Sequence, residues 1–141
     1  DEFFKTNYRT KVQHFPRSPG TGRSVPSPQS GIDMQSLYQT NDWINLRKRG
    51  SRDLVDKDQM TYAGFAAYIS DGGSAVVPII EGDYMYPLRL EMEAALGQEV
   101  SMNVYHSGPS AVALNKHYDS YDVFVLQLSG EKEWVIQHDA M

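Results

Sequence analysis

Ser101 to Gln137 reads SMNVYHSGPSAVALNKHYDSYDVFVLQLSGEKEWVIQ, and its centre is the triplet His117-Tyr118-Asp119. Side chains two residues apart on a strand leave the same face of the sheet. An imidazole and a carboxylate at that spacing therefore point at one small inward site. Fifteen residues after His117, Lys132 follows a turn in Gly130-Glu131-Lys132-Glu133-Trp134. A neutral imidazole, a carboxylate and an ammonium group together suit a divalent metal with an anionic co-substrate. An isolated His-x-Asp says little, since such pairs are common in surface loops. Its context adds weight. Asp122-Val123-Phe124-Val125-Leu126-Gln127-Leu128 is a β-branched and apolar run of strand length, closed by Ser129-Gly130. Lys132 to Ile136 follows as a second strand, its charges alternating with Trp134 and Ile136.

Upstream of this stretch the chain alternates helix and strand signals. Val100 to Tyr105 alternates as a strand leading into a loop from His106 to Asn115. Pro87 to Leu96 is the clearest helix: proline near the first turn, Leu88, Met92, Ala95 and Leu96 on one face, and Gly97 placed to end it. Ala75 to Ile80 reads as a buried strand, with Pro78 arguing for an edge or a bulge. Asp58 to Ser70 predicts a helix burying Phe65, Tyr68 and Ile69, stopped by Asp71-Gly72-Gly73. Asp33 is placed to cap a short helix through Tyr38, and Asn41 or Asp42 to cap a further turn. The run Arg47-Lys48-Arg49-Gly50-Ser51-Arg52 is the one concentrated positive patch. Its default reading is a solvated turn; an anion-binding or substrate-docking surface is the alternative.

Pro16 to Gly31, PRSPGTGRSVPSPQSG, has the composition of a loop or linker. Before it, Asp1 to Thr10 places acidic residues early and basic ones late, as a helix dipole favours, and Phe3, Phe4 and Tyr8 suit a packed face. His14 reads as a structural residue without chemistry.

The 141 residues suit one domain with a single core. A hydrophobic content of 40% and an aromatic content of 11% are globular. A formal charge of −5 argues against a dedicated nucleic-acid-binding domain, which carries a basic stripe. No apolar run is long enough to cross a membrane, and no signal peptide is recognisable. The absence of cysteine excludes disulfides and thiolate metal sites. These features fit a soluble intracellular protein of the nucleus, nucleolus or cytoplasm.

Asn103-Val104-Tyr105, His117-Tyr118-Asp119, the run Val123 to Leu128 and Gly130-Glu131-Lys132-Glu133-Trp134, in that order and spacing, are similar to the JmjC-type, cupin-fold ribosomal oxygenases. These are iron(II)- and 2-oxoglutarate-dependent protein hydroxylases. The resemblance is strong over residues 74–137 and faint before them. It implies a mainly β domain with flanking helices, a double-stranded β-helix that is incomplete in this chain. By position it assigns iron binding to His117 and Asp119, and the far carboxylate of 2-oxoglutarate to Lys132. Asn103 and Tyr105 would line the same pocket, holding co-substrate or target side chain. An ammonium in a mostly apolar barrel gains more from ion pairing than one in water. The plain alternative for Lys132 is an exposed strand lysine. Tyr118, between the ligands, is expected to face the other way and pack. With O2 as oxidant, such enzymes convert 2-oxoglutarate to succinate and hydroxylate a nearby C–H bond.

The facial triad of this family needs a second histidine, which arrives several strands later. His14, His106 and His138 are the remaining histidines, and none matches that position. The expectation is an N-terminal portion of a longer enzyme: a helix and strand over 1–15, a linker over 16–31, and the first part of the JmjC/cupin-like domain over 32–141. The implied partner is a protein substrate, a ribosomal protein before a histone. Histone lysine demethylation and a non-catalytic cupin-like binding module without a complete metal triad stand as alternatives. Neither the target residue nor the oligomeric state is readable.

Overall fold

Asp33 starts the first helix by accepting the Ser36 N–H on its Oδ1 at 3.0 Å. This is the side-chain oxygen's ordinary answer to the unsatisfied donors of a helix N-terminus. Helix α1, Met34–Thr40, buries Met34, Leu37 and Tyr38, the i, i+3, i+4 set that shares one face. Asn41 closes it, its Nδ2 donating to the Leu37 carbonyl at 3.0 Å. The computed structural model describes residues 5–6, 12–15, 33–48, 53–56, 59–112 and 114–137. They fall into two compact units, Asp33–His117 and a second made of Asp1–Ile32 with Tyr118–Met141.

In the first unit, β1 (Trp43–Arg47) buries Ile44 and Leu46 between more exposed neighbours. It pairs antiparallel with β2 (Asp53–Asp56), with Leu46 opposite Asp53. Helix α2, Tyr62–Ser70, begins later than the expected Asp58, because the Thr61 hydroxyl accepts the Gly64 N–H at 3.2 Å. It buries Phe65 and Ile69, an i, i+4 pair, whereas Tyr68 is half-buried. Strand β3, Ser74–Pro78, is buried from Ser74 to Val77 and half-buried at Pro78. Helix α3 is Tyr86–Leu96, with Pro87 in its first turn and Gly97 as the left-handed cap at φ 66°. Strand β4, Asn103–Ser107, pairs antiparallel with β3.

The sheet has the order β2-β1-β3-β4, all antiparallel. Pro78 is tolerated at the end of an inner strand for a geometric reason. The Ile79 N–H donates to the Met102 carbonyl at 2.9 Å, so by alternation the Pro78 nitrogen faces away from β4. On that side the ladder to β1 has already ended at Val76. The missing donor therefore costs no hydrogen bond. Gly108 is held where its N–H donates to the Gly73 carbonyl at 2.9 Å. A Cβ there would lie 1.8 Å from the Ile69 carbonyl oxygen, so only glycine fits this approach of β4's exit to the end of α2.

Ile44, Leu46, Ala75, Val77, Ile79 and Val104 alternate onto one face of the sheet and are all buried. Phe65 is 1% exposed and makes tilted ring contacts with Tyr38 and Tyr62 at 5.3 and 5.9 Å. Tyr38 also donates its hydroxyl to the Met60 carbonyl. In the connection from β3 to α3, the Asp83 carboxylate accepts the Ile80 N–H at 2.7 Å and closes the turn. The Tyr84 hydroxyl accepts the Asp33 N–H at 3.1 Å, tying that connection to the start of α1. Among the described residues no helix is long and apolar enough to cross a membrane.

The second unit departs from expectation. The segments 122–128 and 132–136 are not strands, and their apolar side chains are exposed, Val123 at 57% and Val135 at 82%. A strand exists through hydrogen bonds to a neighbour, and composition supplies the propensity without the partner. Tyr118, expected to pack, is 92% exposed. Residues 12–15 are likewise not a strand, and His14 is exposed. Of the helix expected over 1–10, Lys5 and Thr6 are described and both are helical; the linker over 16–31 lies outside the described residues. The observed sheet is a four-stranded antiparallel one with helices, and the described residues do not close a double-stranded β-helix.

Candidate functional site

The alternation along β4 sorts the candidate residues onto two faces. Val104 and His106 lie on the apolar face, where the His106 ring stacks at 6.4 Å from Phe65. Burial there pushes the His106 imidazole below its ordinary pKa, because the charged form is the one that loses hydration. His106 is a packed histidine on the side away from Asn103 and Tyr105, and does not line a site with them. Asn103, Tyr105 and Ser107 lie on the opposite face and are exposed. Cross-strand partners continue that face: Asn103 is opposite Pro78, Tyr105 opposite the buried Val76, Ser107 opposite the buried Ser74, and the half-buried Asn45 and Arg47 continue the last two rows on β1. Asn103 and Tyr105 thus share one face of β4, two residues apart.

His117 closes the first unit. Its Nδ1 lies 2.7 Å from the Asn115 carbonyl oxygen. A carbonyl only accepts, so in this contact the proton sits on Nδ1. This is the arrangement in which metal-binding imidazoles are usually held: one nitrogen donates to a backbone carbonyl, the other faces the metal. The sequence signal, a carbonyl two residues before the histidine, is invisible without the backbone conformation. Asp119 and Lys132 belong to the second unit, and both are exposed. The Lys132 ammonium sits over the Trp134 ring at 5.0 Å from its centroid, a cation–π contact. Among the described residues no group of three or more His, Asp or Glu side chains is arranged to hold a metal ion. His138, a further ligand candidate, lies outside the described residues.

The basic run divides between the two faces of the sheet. Lys48 pairs with Asp71 at the end of α2 and lies over the Tyr68 ring at 5.8 Å. Arg47 lies on the face that carries Asn103 and Tyr105, half-buried, with no hydrogen-bond partner for its covered Nε. Arg49 and Arg52 lie outside the described residues.

Residues 84–141 match the family model described as a JmjC domain. The chain is similar to ribosomal oxygenase 2 of Bos taurus, 40% identical over 52 residues. It is 36% identical over 52 residues to ribosomal oxygenase 2 of Rattus norvegicus and of Mus musculus. In each case the match covers 37% of this chain and 11% of the relative. The resemblance read from the motifs is borne out over this part of the chain. No solved structure matches.

Proposed function

We propose that this chain supplies part of the iron and co-substrate site of a 2-oxoglutarate-dependent oxygenase that hydroxylates a protein side chain. The JmjC match over residues 84–141 supports the class of enzyme. The observation that carries the site is the His117 imidazole, whose Nδ1 is held by the Asn115 carbonyl, as the backbone holds many ligating histidines. An imidazole nitrogen and the Asp119 carboxylate two residues on are the N,O donor types that iron(II) oxygenases use, with a second histidine as third ligand. The donor set fits iron(II). Bound iron with 2-oxoglutarate and O2 would supply the oxidant for a C–H bond.

The protein's own residues would bind and orient. His117 and Asp119 hold the metal, and Lys132 offers a point charge to the co-substrate's far carboxylate. The flexible lysine stem lets the ammonium leave the Trp134 ring, a contact of only about 0.5–1 kcal/mol at an exposed site. Asn103 and Tyr105, exposed on one face of β4, present an amide and a phenol to the co-substrate or the target side chain. The names of the relatives favour a ribosomal protein as substrate. The test is iron-dependent conversion of 2-oxoglutarate to succinate by the full-length protein, with His117→Ala and Lys132→Ala as controls. Succinate formation lost in both variants is expected. No turnover and no metal retention in the wild type would replace this reading with a non-catalytic cupin-like binding module.

A further inference from the structure

Trp134 is 54% exposed and has the Lys132 ammonium over its ring, 5.0 Å from the centroid. Both residues belong to the second unit, two positions apart in the chain. Indole is the side-chain ring that attracts a cation best, and the contact restrains a long stem that otherwise samples many rotamers. The same ammonium is the one offered to the far carboxylate of 2-oxoglutarate. A lysine has a single charge for both acceptors. The ring attracts that charge through its quadrupole, and a carboxylate attracts it through a full negative charge. Once a carboxylate contacts the ammonium, the pair is nearly neutral as seen from the ring, and the ring's hold on it largely vanishes. Indole and carboxylate therefore compete.

We infer that Trp134 sets the affinity of the site for the second carboxylate of its co-substrate. In the protein without co-substrate the ring holds the Lys132 ammonium, and a diacid binds more weakly by the worth of that contact. At an exposed site this is a factor of about two to five in the dissociation constant. The effect is confined to acids with a second carboxylate. The five-carbon monoacid 2-oxopentanoate ends in a methyl group and makes no claim on the ammonium. Trp134 thereby lowers the preference of the site for the diacid over the monoacid of equal length. The inference rests on the oxygenase reading for one point, the role of Lys132.

The experiment is equilibrium dialysis of the full-length protein, loaded anaerobically with iron(II), against 2-oxoglutarate and against 2-oxopentanoate. In Trp134→Leu, 2-oxoglutarate should bind about two- to fivefold more tightly, with 2-oxopentanoate unchanged. Trp134→Phe keeps a weaker ring and should fall between, and it keeps the test open should the leucine variant fold poorly. Unchanged or weaker binding of 2-oxoglutarate overturns the inference. Equal tightening for both acids overturns it too, since the substitution then alters the site as a whole. A second readout needs neither metal nor co-substrate. In the 141-residue chain the Lys132 ε-methylene protons should resonate upfield under the indole ring current and move downfield in Trp134→Leu. Identical resonances in the two proteins would remove the contact on which the inference stands. Wild-type protein that binds neither acid sinks the oxygenase reading and this inference with it. Wild-type protein that binds 2-oxoglutarate, with no change in Trp134→Leu, sinks this inference alone.

Discussion

Phe65→Ala tests the packing that holds the sheet and α2 together. Phe65 is 1% exposed and touches the rings of Tyr38 and Tyr62, with His106 stacked beyond. An aromatic side chain buries about 150–250 Å², which at about 25 cal/mol per Å² is worth roughly 4–6 kcal/mol. Alanine retains part of that burial, and the denatured chain already covers some of it. The lost ring pairs and the cavity left behind work the other way. The expected loss is about 4 kcal/mol, within the range measured for buried phenylalanines. Against a total of about 5–15 kcal/mol for a domain, this is a large fraction. Urea unfolding followed by far-UV circular dichroism reads the loss directly as a lower midpoint at unchanged slope. Phe65→Leu, which keeps most of the volume, should lose less than half as much. A loss below about 1 kcal/mol in Phe65→Ala would match a surface substitution and would refute the docking of α2 on the sheet.

Further outcomes follow from the same packing. The His106 pKa is lowered by burial, so its folded value lies below the unfolded one. Stability is then fully present above the unfolded value, near 6.5, and is lost as pH falls through and below it, levelling off beneath the folded value. Midpoints measured across that window should show this drop in the wild type and a smaller one in His106→Phe; an identical slope in both would place the dependence elsewhere. Gly108→Ala puts a methyl group against the Ile69 carbonyl, and thermal unfolding should show a loss of at least about 2 kcal/mol as strand exit and helix end separate. Thr61→Ala removes the acceptor for the Gly64 N–H and should cost about 1 kcal/mol by urea unfolding, with Thr61→Ser recovering most of it.

Local rules in the sequence carried over where one residue decides the outcome. Asp33 caps α1, and Pro87 with Gly97 brackets α3, because each acts on its own backbone. Pro78 pointed to an edge or a bulge, whereas its strand is an inner one and Pro78 sits at its end, past the point where the ladder to β1 stops. The start of α2 was misplaced since Asp58 and Thr61 are both capping residues, and only geometry shows which oxygen meets an N–H. Strand propensity over 122–128 did not produce a ladder, because pairing depends on a neighbour that propensity does not specify. His106 could not be separated from Asn103 and Tyr105 by proximity in sequence, but a strand's alternation sends it to the other face.

The central claim is that His117 and Asp119 share an iron(II) ion. Anaerobic titration of the full-length protein with iron(II), read by equilibrium dialysis, tests it without requiring turnover. One equivalent bound per chain, lost in His117→Ala and in Asp119→Ala while folding is retained, is the predicted result. Wild-type protein that retains no iron, or the same stoichiometry and affinity in both variants, would contradict it.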